Sequence, residues 1–129
     1  MAERSRRILL VEDDRFLRKA AEAALRQRGF ALLTAVDGEE ALRQAVAEKP
    51  DLILLDLIMP KLQGFEVLRR LKEDPATVAI PVIVLSNLGQ EGDIQRAMDS
   101  GAAAYFIKSN LSLQDLAKEV DKALGKGTA

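Results

Sequence analysis

A chain of 129 residues, 48% of them apolar, is long enough to bury one core and is expected to form one soluble domain over residues 1–129, with a core over 6–124 and a frayed tail from 125 to 129. Nineteen Lys and Arg against 20 Asp and Glu leave a net charge of −1, so no basic field exists for bulk nucleic-acid binding. The absence of both Cys and His excludes disulfides, thiolate chemistry, Ser-His-Asp and Cys-His catalysis and ordinary zinc sites, leaving carboxylates, hydroxyls, Lys and Arg as the reactive groups.

The charged N-terminus, Met1 to Arg7, leads into an apolar run too short for a signal peptide or a membrane span, and a cytoplasmic location is expected. That run, Ile8 to Val11, reads as the first strand. A helix follows with Leu17, Ala21, Ala24 and Leu25 on one face, stopping at Gly29. Ala31 to Ala35 is a second strand. A second helix begins at Asp37-Gly38-Glu39-Glu40, where an acid pair three apart resembles a capping box, and is expected to bury Ala41, Leu42, Ala45 and Val46. Leu52 to Leu55 is a third strand, followed by a helix from Gly64 to about Glu73 with Phe65, Leu68 and Leu71 inward. Val82 to Leu85 is a fourth strand, and Ile94, Ala97 and Met98 mark a helix ending at Gly101. The fifth pair is Ala104 to Ile107 and a helix from near Ser112 carrying Leu113, Leu116, Ala117, Val120 and Leu124.

Continuously apolar strands are those covered on both faces, and parallel neighbours need crossovers that the helices supply. The fold expected is therefore α/β, a five-stranded parallel sheet flanked by helices. Ligands of such sheets bind beyond the carboxyl ends of the strands. There the chain places Glu12-Asp13-Asp14, then Asp56, then Ser86-Asn87, then Lys108-Ser109. Clustered carboxylates repel, and Lys108 together with a hard divalent cation such as magnesium would offset that. A carboxylate nucleophile, a cation and groups to hold phosphoryl oxygens are the equipment for phosphoryl transfer. Asp14 reads better as a helix cap than as a ligand.

The residues resemble those of the response-regulator receiver domain, the chemotaxis-regulator-like module of two-component signalling. Ile-Leu-Leu-Val-Glu-Asp-Asp at 8–14 is similar to its first strand and acidic pair, Glu12 and Asp13. Leu-Leu-Asp-Leu-Ile-Met-Pro at 54–60, followed by Gly64, is similar to its phosphoacceptor loop, with Asp56 as acceptor. Pro-Val-Ile-Val-Leu-Ser at 81–86 and Tyr105-Phe106-Ile107-Lys108 complete the ordered set. The resemblance implies a doubly wound, flavodoxin-like fold with strand order 2-1-3-4-5. It implies that Asp56 takes a phosphoryl group from a phosphohistidine on a histidine kinase or phosphotransfer protein. It also implies that Asp13, Asp56 and the Ile58 carbonyl contact magnesium, with Glu12 acting directly or through water. Ser86 and Lys108 would then be drawn to the phosphate and Tyr105 toward the core, altering the face of the fourth helix, fifth strand and fifth helix for a downstream target. Chemistry limited to its own phosphorylation and dephosphorylation is expected, in a monomer or weak phosphorylation-dependent dimer with no direct binding of membranes or nucleic acid.

Two departures stand out. The family's lysine is usually followed by a cis proline, whereas Ser109 follows Lys108, and a non-proline cis bond costs about 2.5–4 kcal/mol, so a trans bond and an altered loop are expected. Ile58 and Leu88 are apolar where polar side chains would orient an attacking water, so slow self-hydrolysis of a phosphorylated Asp56 is expected. The competing reading is a phosphate-blind interaction module with the same fold. An aspartyl phosphatase would want a second acid where Ile58 stands, and dinucleotide binding lacks a Gly-x-Gly-x-x-Gly after the first strand. A stand-alone regulator and a receiver from a longer protein both fit the Gly-Lys-Gly-Thr-Ala tail.

Overall fold

The computed structural model describes residues 5–58, 62–87 and 91–125. Five strands alternate with five helices: β1 (Arg7–Val11), α1 (Arg15–Gln27), β2 (Ala31–Ala35), α2 (Gly38–Glu48), β3 (Leu52–Leu55), α3 (Gly64–Glu73), β4 (Val82–Ser86), α4 (Glu91–Asp99), β5 (Ala104–Ile107) and α5 (Leu113–Ala123). The strands form one parallel sheet in the order β2-β1-β3-β4-β5, as expected.

Strand side chains alternate between two faces, and each face has its own core. Ile8, Leu10, Leu52, Leu54, Ile83 and Leu85 pack against Ala21 and Leu25 of α1 and Leu116, Ala117 and Val120 of α5. Leu9, Val11, Ile53, Leu55, Val82 and Val84 pack against Ala41 and Ala45 of α2, Val67, Leu68 and Leu71 of α3 and Ala97 of α4. Every residue of β3 and β4 is buried, which is why their sequences show no polar alternation. The edge strands β2 and β5 are only half-buried over most of their lengths.

The helix starts follow their capping residues. Asp14 accepts from the backbone N–H groups of Phe16 and Leu17 at 2.9 and 3.1 Å, making it the N-cap of α1 as its sequence position suggested. Asp37 accepts from Glu40 N–H at 2.8 Å, while the Glu40 carboxylate reaches back to Val36 N–H, one residue ahead of the usual capping-box partner. Gly29, at φ +94°, ends α1, as its left-handed backbone favours.

One expectation of burial needs correction: Val46 is 44% exposed, and Met98, which marked the fourth helix, is likewise 41% exposed. The small Ala41 and Ala45 bring α2 close to the sheet, and Ala97 does the same for α4; the larger apolar side chain next along each helix then points away from the core. Val67, not singled out from the sequence, is fully buried on α3. Among the described residues, no helix is long and apolar enough to cross a membrane.

Candidate functional site

The inner strands β1 and β3 pair Val11 with Leu55, so the residues that follow, Glu12 and Asp56, leave the sheet side by side. The ladder continues one step beyond the strands: Asp56 N–H donates to Val11 C=O at 3.1 Å and Glu12 N–H to Ala35 C=O at 3.0 Å. Both acids are therefore held by the sheet itself. Their side chains are only 4% and 7% exposed, and between them sits Lys108, 14% exposed, which arrives from the end of β5. The Lys108 ammonium donates to Glu12 Oε1 at 2.7 Å and to Asp56 Oδ2 at 2.9 Å.

Two buried carboxylates share one ammonium. Burial pushes the Glu12 carboxyl above the usual range, against the opposing pull of the Lys108 hydrogen bond and the Asp14 N–H. Burial pushes the Lys108 ammonium down, but its hydrogen bonds to Glu12 and Asp56 and their charges outweigh that and hold it above the usual lysine range.

Asp13 completes the cluster. Ligand oxygens of Glu12, Asp13 and Asp56 lie within 4.8 Å of one another. An all-oxygen, all-carboxylate set of this size fits a hard divalent cation such as magnesium, which prefers oxygen and needs only one or two carboxylates. The fit rests on the donor chemistry: the cluster offers only carboxylate oxygens, and the chain has no His imidazole or Cys thiolate.

The other expected residues gather around this centre. Ile58 donates its backbone N–H to Asp56 Oδ1 at 3.1 Å, while its side chain is exposed. Ser86, at the end of β4, is fully buried and pairs across to Ile107 of β5, next to Lys108. The Tyr105 hydroxyl is hydrogen-bonded to Ser86, and its ring is half-buried against the core on the α2–α4 face. The Lys108–Ser109 peptide is trans, and the chain runs on into a 3₁₀ turn over Lys108–Asn110, as the missing proline led us to expect. Met59, Pro60 and Leu88 lie outside the described residues.

The sequence model of the response regulator receiver domain family matches residues 8–121. The chain belongs to that family. The gliding motility regulatory protein of Myxococcus xanthus is 43% identical over 116 residues, covering 90% of this chain and 15% of that protein. The phosphorylated cyanobacterial phytochrome response regulator RcpA superposes with a TM-score of 0.83 at 35% identity, over 98% of this chain and 97% of its own. The receiver domain of a sensor histidine kinase from Pseudomonas aeruginosa, which has a magnesium ion coordinated in its active-site cleft, gives a TM-score of 0.86 at 28% identity, over 95% and 100%. The chain spans between 15% and 44% of the lengths of the curated relatives it matches. As a receiver domain it is a signalling module of two-component systems.

One residue of this receiver domain's site escaped the sequence reading, and the packing role of another did. Arg18, on α1, sends its Nη1 back to the carbonyls of Glu12 at 3.0 Å and Asp13 at 3.4 Å. A signal existed, since a cation near a helix N-terminus opposes the macrodipole and calls for another reason. Gly64 was part of the loop motif, but the reason for it is packing. A Cβ there would lie 2.3 Å from Leu57 Cα and 2.7 Å from the Asp56 carbonyl oxygen, so only glycine lets the start of α3 close on the backbone that carries Asp56.

Proposed function

We propose that this receiver domain is a phosphorylation-dependent switch in which Asp56 accepts a phosphoryl group from a phosphohistidine on a histidine kinase or phosphotransfer protein. The observation that carries this reading is the convergence of Asp56 with Glu12, Asp13 and Lys108 at the ends of three different strands. A carboxylate oxygen of Asp56 forms the new P–O bond while the donor's P–N bond breaks and the imidazole departs. Glu12, Asp13, Asp56 and the Ile58 carbonyl would hold magnesium, which supplies positive charge against the phosphoryl oxygens. Lys108 supplies a second positive charge, and Ser86 a hydroxyl.

Phosphate drawing on Lys108 and Ser86 competes with the contacts these residues make now. Lys108 would give up part of its hold on Asp56 and Ser86 its bond to Tyr105, and those losses couple the site to the face of α4, β5 and α5. A downstream target reading that face, in the cytoplasm and without direct nucleic-acid contact by this domain, completes the proposal.

Incubation with acetyl phosphate and magnesium chloride tests it. Intact-mass spectrometry is expected to show one added phosphoryl group, lost when EDTA replaces magnesium and absent from Asp56→Ala. No mass gain in the native chain, or an equal gain in Asp56→Ala, overturns the reading and leaves the phosphate-blind interaction module in its place.

The same sample reports the lifetime of the modified state. Ile58 offers only an exposed apolar side chain beside Asp56 and nothing to orient a water, so the phosphoryl group is expected to persist for many minutes after acetyl phosphate is removed. Decay within seconds contradicts this.

A further inference from the structure

We propose that Arg18 is a positioning residue for the cation site, acting on Asp13 through the main chain; the inference rests on the reading of Glu12, Asp13 and Asp56 as the metal-holding set. Three observations carry it. First, both hydrogen bonds of the Arg18 side chain go to backbone carbonyls, those of Glu12 and Asp13, and to no carboxylate among the described residues. The two carbonyls belong to the peptide planes on either side of the Asp13 Cα, so one guanidinium fixes both planes at once. Second, Glu12 and Asp56 have their carboxylates oriented by donors of their own, Lys108 and the N–H groups of Asp14 and Ile58. The Asp13 carboxylate accepts no hydrogen bond among the described residues, and it is exposed. Its direction is thus set by the backbone alone, which is where Arg18 acts. Third, Asp14 N-caps α1 and its carbonyl takes the Arg18 N–H at 2.9 Å, so the cap of the helix that carries Arg18 directly follows Asp13 in the chain.

The alternative roles of a cation near this cluster predict different signs. If Arg18 acted only through its charge, removing it would relieve repulsion of an incoming divalent ion and tighten binding. If it served only the fold, removal would lower stability and leave metal affinity alone. A positioning role predicts weaker binding despite the more favourable charge, because a group that orients a ligand from behind typically contributes tenfold or more to affinity.

Isothermal titration of the full chain with magnesium chloride, on the native protein, Arg18→Met and Arg18→Lys, separates these. The expected result is a dissociation constant raised about tenfold in Arg18→Met and by a smaller factor in Arg18→Lys, whose ammonium can still donate to a carbonyl but from a shorter side chain. Thermal melting in EDTA, run alongside, checks that both variants are folded at the titration temperature. Tighter binding in Arg18→Met, or unchanged binding with a lowered melting temperature, overturns the inference about Arg18 alone. Absence of magnesium binding by the native chain overturns it together with the cation-site reading.

Discussion

Lys108→Met is expected to be less stable than the native chain by about 3–5 kcal/mol in EDTA at neutral pH, the usual cost of removing one partner from a buried ion pair. The substitution preserves the length of the side chain and most of its packing, so the loss is electrostatic in origin. Glu12 and Asp56 are left nearly buried and facing each other, with no cation between them. Two features of the expected result distinguish it from ordinary core damage. Magnesium should restore most of the lost stability, and should bind Lys108→Met more tightly than the native protein, because the competing ammonium has gone.

The second feature is its dependence on pH. The Lys108 ammonium, held above the usual lysine range, contributes stability that is complete below pH 10.5 and lost only as the pH rises through its higher value in the folded chain. Glu12, whose carboxyl is pushed up by burial, keeps its proton in the folded chain at pH values above 4.5 where the unfolded chain has lost it. Stability therefore falls as the pH rises through that interval. In acid, Glu12 is neutral and needs no counter-charge, so the gap between Lys108→Met and the native protein should narrow as the pH falls through that interval. Chemical denaturation across pH, with and without magnesium, measures all of this; a gap independent of pH, or one that magnesium does not close, contradicts the account.

Gly64→Ala is expected to destabilise the domain by about 3 kcal/mol, at the upper end for overpacking, even though alanine is the better helix former by up to about 1 kcal/mol. The new methyl group would meet Leu57 Cα at 2.3 Å and the carbonyl oxygens of Asp56 and Leu57 at 2.7 and 2.8 Å. All three are backbone atoms, so no rotamer change relieves the clash. Either α3 retreats from the sheet or the chain from Asp56 to Ile58 shifts, and the Gly64 N–H bond to Leu57 C=O at 3.0 Å is lost in both cases. Phosphorylation by acetyl phosphate should slow along with the loss of stability, since Asp56 is on the segment displaced. Gly92→Ala, where a Cβ meets nothing within 4 Å, is the matched control and should stabilise. Equal melting temperatures for the two variants would show that the close approach at Gly64 is not maintained in solution.

Much of this was legible from the residues alone, for physical reasons that can be named. Strands covered on both faces must be apolar throughout, so Leu52–Leu55 and Val82–Leu85 announced themselves, and strand ends in a parallel sheet are where ligands sit, which drew Glu12, Asp13, Asp56, Ser86 and Lys108 together before any coordinates. What could not be read were relations between elements. Whether Val46 or Met98 meets the core depends on how closely α2 and α4 approach the sheet, and that distance is decided by Ala41, Ala45 and Ala97. Lys108 bridging two carboxylates at once, 96 and 52 residues away, is likewise a property of the assembled sheet. The same holds for Gly64, whose requirement comes from Leu57 and not from its own backbone angle.

The placement of the site across the sheet has a dynamic consequence. Amide protons in β1 and β3, two of the three inner strands, are expected to exchange with deuterium only when the whole domain opens, whereas those of the half-buried edge strand β5 can exchange through partial opening at one side. Glu12 and Asp56 are thus expected to follow slow-exchanging strands and Lys108 a faster one. The ammonium can leave and return on its own clock while the carboxylates stay in register.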